Sequence, residues 1–119
     1  MITIYHNSRC SKSRAVIDLL DTVHRSDAEA VEVIEYLKQS LSVDQLAELH
    51  RMLGGPVQDM IRVDEPEYRE LDLGRAGVSN KNVYEAIVKH PILLQRPIVV
   101  RNGRAVIGRP PENVAALFE

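Results

Sequence analysis

Residues 2–20 read ITIYHNSRCSKSRAVIDLL and contain the only cysteine of the 119-residue chain. The β-branched and aromatic residues at 2–5 are typical of a short strand. After the loop 6–10, apolar residues at 15, 16, 19, 20 and 23 recur at helical spacing. This segment therefore predicts a strand, a loop and a helix, with Cys10 immediately before the helix.

The following residues continue with a second strand and then several helices. Residues 31–36 are rich in β-formers and predict a second strand. The segment 2–36 is long enough to form a right-handed β-α-β crossover. Caps, prolines and glycines then mark helix starts and stops. These signals are Ser42 with Gln45, Gly54-Gly55, Pro56, Pro66, Gly74, Ser79 and Pro91. A mostly helical block is therefore expected between the first and last strands.

The C-terminal part predicts a hairpin followed by a helix. Residues 97–101 and 104–107 are strand-like, and Asn102-Gly103 between them favours a tight turn because both residues accept a positive φ. Pro110-Pro111 begins a last short helix. The order β-α-β, helices, β-β-α predicts an α/β thioredoxin-like fold with a four-stranded mixed sheet. We expect residues 1–119 to form a single domain, with a helical insertion at about 40–95.

Composition excludes several classes of function. The net charge is −2 and there is no long basic run, so neither nucleic acid nor an anionic membrane is an expected partner. The sequence has no apolar run of about 20 residues and no signal-peptide pattern. A lone cysteine favours a reducing compartment, so we expect a cytoplasmic protein. We also expect a monomer. The histidines at 6, 24, 50 and 90 lack ligand spacing, so no metal site and no bound cofactor are expected.

The position of Cys10 favours a reactive thiol. The first N–H groups of a helix and its dipole stabilise an anion there, and a thiolate is an anion. Arg9, Lys12 and Arg14 add positive charge nearby, and His6 can add a charge or a hydrogen bond to the sulfur. The same N–H groups, from Ser11, Lys12, Ser13 and Arg14, could cradle an oxyanion. The competing interpretation is that Cys10 is a small buried apolar residue.

Residue 13 is serine, so the segment has no Cys-x-x-Cys pair. Oxidised Cys10 therefore cannot form an internal disulfide, and an outside thiol such as glutathione or a glutaredoxin must resolve it. Three arginines are candidates for binding an oxyanion, because guanidinium groups bind tetrahedral oxyanions through paired donors. Arg62 follows an apolar pair, whereas Arg96 and Arg109 each precede a proline at a strand end. In a thioredoxin-like fold the proline that starts the third strand, here Pro97, faces the active cysteine and its preceding peptide bond is cis. That geometry would direct Arg96 towards the Cys10 helix.

The sequence resembles the glutaredoxin-linked arsenate reductase family across almost its whole length. The matching motifs are Ile4-Tyr5-His6-Asn7-x-x-Cys10 with Ser13-Arg14, Ile61-Arg62 with Glu65-Pro66-x-Tyr68, His90-Pro91-Ile92-Leu93, Arg96-Pro97-Ile98-Val99-Val100 and Gly108-Arg109-Pro110. The resemblance implies that Cys10 attacks arsenate and that His6 lowers the pKa of Cys10. It also implies that Arg62, Arg96 and Arg109 hold the oxyanion, and that glutathione and glutaredoxin supply the thiols for arsenite release.

The sequence departs from the best-known members on both sides of the cysteine, where Ser8-Arg9 and Ser11-Lys12 stand in place of Pro-Ala and Gly-Thr. The extra cations either strengthen anion binding or change the preferred substrate. The alternatives are a general glutathione-dependent thiol oxidoreductase on the same site and a redox regulator that binds RNA polymerase. A related branch of the fold does the latter through a Cys-x-x-Cys switch, which Ser13 removes here.

Overall fold

The computed structural model describes residues 2–7, 9–22 and 30–118. Two residues named in the sequence analysis lie outside these ranges. They are Ser8, one of the departures from the family pattern beside Cys10, and Val23, the last apolar residue of the helical stripe. The elements in chain order are β1 (Ile2–His6), α1 (Ser11–Thr22), β2 (Val31–Glu35), α2 (Val43–Leu53), a 3-10 helix (Val57–Met60), α3 (Pro66–Glu70), α4 (Asn80–Lys89), a 3-10 helix (Pro91–Leu93), β3 (Ile98–Arg101), β4 (Arg104–Ile107) and a 3-10 helix (Pro111–Phe118). None of the helices within the described ranges has the length and apolar character needed to cross a membrane.

The four strands form one sheet in the order β2-β1-β3-β4. β1 is parallel to β2 and antiparallel to β3, and β3 is antiparallel to β4. Asn102 and Gly103 have φ values of 52° and 76°, which join β3 to β4 in a tight hairpin. The predicted α/β class, the mixed sheet and the hairpin are confirmed.

One face of the sheet is covered by α1 and the C-terminal 3-10 helix. The periodic apolar residues of α1 supply this core, because Val16 and Leu20 are buried against the inward side chains of the strands. The buried members of the cluster are Ile2, Ile4, Val16, Leu20, Val99, Val114 and Leu117. This packing fixes the N-terminus of α1 relative to the sheet.

Serine caps begin α2 and α4, as predicted. The Ser42 hydroxyl accepts the Gln45 N–H at 3.1 Å, and the Ser42 N–H donates to Gln45 Oε1 at 2.8 Å. Ser79 and Asn82 form the same reciprocal pair. Each pair satisfies two N–H groups that a helix start would otherwise leave unpaired.

The helix predicted to run from Pro66 to near Gly74 is shorter than expected. α3 ends at Glu70, and Asp72 adopts a left-handed conformation with φ of 52°. The chain then turns back, and the Leu73 N–H bonds to the Tyr68 carbonyl at 3.1 Å. A Cβ at residue 74 would lie 2.7 Å from the Tyr68 hydroxyl oxygen. Gly74 lies close to the Tyr68 side chain, so a larger residue there would require that side chain to move, and it does not mark the end of a long helix.

The chain divides into two compact units, residues 1–39 with 96–119 and residues 40–95. The first contains the sheet, α1 and the C-terminal 3-10 helix. The second contains the helices of the predicted insertion. That the whole chain behaves as a single domain stays a prediction.

Candidate functional site

One edge of the sheet gathers most of the predicted site residues. The strand register pairs His6 with Glu35 and Tyr5 with Ile98, and Ile98 in turn with Ile107. The ends of β1, β2 and β4 therefore lie beside the start of β3. The loops that leave this edge carry Cys10 after β1, Arg96 before β3 and Arg109 after β4.

Asn7 takes part in several of the hydrogen bonds that hold the Cys10 loop. The Asn7 side-chain oxygen accepts the Arg9 N–H at 3.0 Å, and the Asn7 carbonyl accepts the Cys10 N–H at 3.0 Å. The Asn7 N–H donates to the Ser13 hydroxyl at 3.3 Å, and the Ser13 side chain is fully buried. Asn7 was quoted in the family motif but was not among the predicted site residues. The preference of asparagine for turns that bond its side chain two residues onward could have indicated this role.

Cys10 occupies the N-cap position of α1. Its carbonyl accepts the Arg14 N–H at 3.1 Å, which is the first hydrogen bond of the helix. Cys10 is 9% exposed. A side chain at this position is directed towards the N–H groups of the second and third helical residues, at the positive end of the dipole. Cys10 therefore stands at the start of the first helix, where the sequence placed it, and its activation as a thiolate stays a prediction.

The four residues after Cys10 differ in what they can offer an oxyanion. The Arg14 N–H is committed to the helix by its bond to the Cys10 carbonyl. A role for Arg14 in binding would therefore come from its side chain. The Ser13 hydroxyl accepts the Asn7 N–H, which leaves its O–H and its backbone N–H as donors. Ser11 is exposed, and the side chain of Lys12 lies outside what the structure describes.

His6 is buried at the end of β1, with 7% of its surface exposed. Burial lowers the pKa of His6 below 6.5; the Glu35 carboxylate opposes this effect and the Arg14 guanidinium adds to it. His6 is therefore mainly neutral at pH 7. Its Nδ1 is buried and has no hydrogen-bond partner among the described residues. The ring is suited to a hydrogen bond rather than to supplying a positive charge.

Arg96 and Arg109 lie on adjacent loops. The Gly108 N–H donates to the Pro97 carbonyl at 2.9 Å, which ties the start of β3 to the end of β4. A Cβ at Gly108 would lie 2.7 Å from a Val16 methyl carbon, so only glycine permits this approach. The Arg96-Pro97 peptide is cis, as expected for the fold, and the Arg109-Pro110 peptide is also cis, which the sequence analysis did not predict.

Both arginines carry buried nitrogens without partners in the described part of the chain. These atoms are Nε and Nη1 of Arg96 and Nε of Arg109. A buried donor without an acceptor costs free energy, and an oxyanion at this edge would remove that cost. The loop that carries Arg109 is held by Asn113, whose side-chain amide donates to the Arg109 carbonyl at 3.1 Å. The sequence analysis missed this residue.

Arg62 lies in the other unit, directly after the Val57–Met60 3-10 helix. Its guanidinium pairs with Glu65, and the two side chains are 18% and 21% exposed. Its N–H donates to the Leu93 carbonyl at 2.7 Å. Both of these contacts are with residues of the same unit, 40–95. The part of Arg62 in oxyanion binding stays a prediction. Across the described ranges, no three His, Cys, Asp or Glu side chains are arranged to hold a metal ion.

Comparison with known proteins gives consistent matches over nearly the full chain. A model of the ArsC family matches residues 5–117. An arsenate reductase of Neisseria meningitidis serogroup A is 41% identical over 118 residues, covering 98% of this chain and 97% of that protein. An arsenate reductase of Haemophilus influenzae is 37% identical over 118 residues, covering 98% of both. The structure of an arsenate reductase from Vibrio cholerae matches with a TM-score of 0.89 at 43% identity, covering 98% of this chain and 96% of that one.

Proposed function

The chain belongs to the ArsC family, and from this premise we propose that it is an oxidoreductase that reduces arsenate to arsenite through an adduct on Cys10. The single observation that carries the proposal is the composition of one sheet edge. Cys10 at a helix N-terminus and the unpartnered guanidinium nitrogens of Arg96 and Arg109 lie on loops of that edge. The names of the similar proteins support arsenate as the oxyanion.

In the first step the Cys10 thiolate attacks arsenic. A sulfur–arsenic bond forms, and one arsenate oxygen takes up a proton and leaves as water. The α1 N-terminus stabilises the thiolate before attack. Arg96 and Arg109 stabilise the oxyanion, together with Arg62 and the N–H groups that open α1. His6 is mainly neutral at pH 7 and lowers the pKa of Cys10 by donating a hydrogen bond to its sulfur.

The remaining steps need two electrons from outside thiols, because the chain has no second cysteine. Glutathione acts as a co-substrate, with no cofactor bound. Its thiol attacks the arsenic, so a second sulfur–arsenic bond forms and a second oxygen leaves as water. The glutaredoxin thiolate then attacks the glutathione sulfur, and the electron pair of that sulfur–arsenic bond passes to arsenic. A mixed disulfide leaves, and hydrolysis of the Cys10–arsenic(III) bond releases arsenite. The need for these thiols favours the reducing cytoplasm as the place of action, and the chain is proposed to work as a monomer.

The test is arsenite formation by the purified protein with arsenate, glutathione and glutaredoxin. We expect turnover that requires all three and is abolished in Cys10→Ser. Arg69→Ala removes an exposed arginine of α3 that lies outside the site, so this variant should keep the turnover of the wild type. Reduction of mixed disulfides without any arsenite formation would overturn the proposal in favour of a general glutathione-dependent thiol oxidoreductase.

A further inference from the structure

Of the three arginines predicted to bind an oxyanion, Arg62 is the one whose guanidinium already has an anionic partner. Its Nη1 donates to a carboxylate oxygen of Glu65, and the two side chains are 18% and 21% exposed. Among the described residues, Arg96 and Arg109 form no ion pair and keep guanidinium nitrogens without acceptors. The mechanism proposed above gives Glu65 no role.

The backbone holds the Arg62 and Glu65 side chains next to each other. The Glu65 N–H donates to the Arg62 carbonyl at 3.3 Å, and the Arg62 N–H donates to the Leu93 carbonyl at 2.7 Å. α3 starts directly after Glu65, yet the Glu65 carboxylate makes no capping hydrogen bond to that helix. The carboxylate contacts Arg62 instead, so a change of side-chain rotamer is enough to separate the pair.

The Glu65 carboxylate takes up donor capacity that an oxyanion on Arg62 would use. A carboxylate and an oxyanion compete for the same guanidinium donors, and they repel each other when both are held beside it. Because both side chains are largely shielded from solvent, this repulsion is screened less than it would be at an exposed pair. An oxyanion therefore engages all the donors of Arg62 only when it displaces Glu65.

Charge distinguishes the substrate from the product in this competition. Arsenate is an anion at neutral pH, whereas arsenite is an uncharged acid, so only arsenate can replace the carboxylate. We propose that Glu65 is a positioning residue that holds Arg62 until an oxyanion displaces it, and that pairs with Arg62 again once the arsenic is reduced. This rests on the proposed function, in which Arg62 stabilises the oxyanion.

Binding is tested with sulfate, an unreactive tetrahedral oxyanion, by isothermal titration calorimetry of the intact protein at constant ionic strength. Because the competing carboxylate is removed, we expect Glu65→Gln to lower the Kd for sulfate about fivefold. Glu65→Ala should change the Kd in the same direction. Glu48→Gln breaks an exposed pair with Arg51 that has the same i,i+3 spacing on α2, and it should leave the Kd unchanged. If Glu65 only supported Arg62 in its binding position, Glu65→Gln would instead raise the Kd.

A double variant shows whether Glu65 acts through Arg62. In an Arg62→Ala protein, Glu65→Gln should no longer strengthen sulfate binding, because the shared guanidinium is absent. An equal gain in both backgrounds would reflect only the loss of a negative charge and would overturn the proposal. An unchanged or higher Kd in Glu65→Gln, or wild-type affinity in Arg62→Ala, would overturn it as well.

The outcomes separate this proposal from the proposed function. When arsenate is turned over, the KM for arsenate should fall in Glu65→Gln together with the Kd for sulfate, and kcat should not rise. Arsenate turnover with the same KM and Kd in the wild type and Glu65→Gln would contradict the role of Glu65 alone. Sulfate affinity that depends on both Arg62 and Glu65, without arsenate turnover, would contradict the proposed function and keep the competition between Glu65 and an oxyanion.

Discussion

Arg96 and Arg109 hold guanidinium nitrogens that are buried without acceptors in the described chain. Leaving such a donor unsatisfied costs about 1–3 kcal/mol, and more when the group is charged. This arrangement reduces the stability of the anion-free protein and strengthens the attraction for an oxyanion that supplies the acceptors. The two residues are therefore better suited to binding an anion than to stabilising the fold.

Replacement of Arg96 tests this interpretation. We expect Arg96→Ala to lower kcat/KM for arsenate by about 100-fold, since two hydrogen bonds from a charged group are lost. Arg96→Lys should recover only part of the activity, because lysine lacks the paired planar donors. Arg69→Ala serves as the exposed arginine control. Steady-state kinetics with arsenate measures all three, and equal losses in Arg96→Ala and Arg69→Ala would contradict the assignment.

His6 gives the fold a defined pH dependence. Its pKa is lowered in the folded protein by burial, whereas in the unfolded chain it titrates near 6.5. The unfolded state therefore binds more protons between these two pKa values. The His6 contribution to stability is complete above pH 6.5 and is lost as the pH falls towards the folded-state pKa.

His6→Gln should remove this part of the pH dependence. We expect the free energy of unfolding of the wild type to fall more steeply between pH 7.5 and 5.5 than that of His6→Gln. Urea unfolding at several pH values measures both slopes, and the other histidines cancel because both proteins contain them. Parallel slopes would show that the imidazole titrates alike in the folded and unfolded chains.

At the scale of elements, the connection between β1 and α1 determines where Cys10 lies. Asn7 holds the turn through its side chain and its carbonyl, and Ser13 reaches back from the first turn of α1 to the Asn7 N–H. Because Ser13 is fully buried, the bond is shielded from water. The strand, the turn and the helix start are therefore joined into one rigid support for the thiol.

Ser13→Ala should weaken this support. The Asn7 N–H would lose its acceptor in a buried position, which costs about 1–3 kcal/mol of unfolding free energy. Ser11→Ala, at the exposed first position of α1, is the matched control for stability and should change it by less than about 0.5 kcal/mol. Urea denaturation gives both values. A Ser13→Ala protein as stable as Ser11→Ala would mean that the hydrogen bond adds nothing to the fold.

The elements could be predicted from sequence because their signals are local. The helical stripe on α1, the serine caps at Ser42 and Ser79 and the Asn102-Gly103 turn each lie within a few residues of what they determine. The early end of α3 was missed because the chain turns at Asp72, whose positive φ no periodicity or proline-and-glycine signal indicated.

The site could be predicted only in part, for the same reason. Cys10, Arg96 and Arg109 were found from their positions at the ends of predicted elements and from the family motif. The Asn7–Ser13 bond and the Asn113–Arg109 bond were missed although each joins residues four to six positions apart, because both depend on the side-chain directions within an irregular turn. The strand register brings the ends of β1 and β4 beside the start of β3, and the pairing of β1 with β3 joins segments about 90 residues apart, which no local pattern reveals.

At the scale of the whole molecule, a net charge of −2 coexists with several arginines on the loops of one sheet edge. Arg9, Arg96 and Arg109 belong to loops of one sheet edge. Local charge of this kind draws in anions despite a negative total, because screening limits the influence of charges more than about 8–10 Å away. The anion affinity of the molecule is therefore a property of this edge.

Anion binding at this edge should stabilise the entire folded chain. A ligand that binds only the folded state adds RT ln(1 + [L]/Kd), about 2.7 kcal/mol at 100 times its Kd. Sulfate, a tetrahedral oxyanion that Cys10 cannot reduce in this way, is expected to raise the midpoint of thermal unfolding in the wild type. Sulfate also stabilises proteins in general by exclusion from their surface, so the informative quantity is the difference from Arg96→Ala/Arg109→Ala. We expect the double variant to show only the general effect, without saturation, and Arg69→Ala to match the wild type. Identical sulfate dependence in the wild type and the double variant would mean that the two arginines form no oxyanion site in the folded protein.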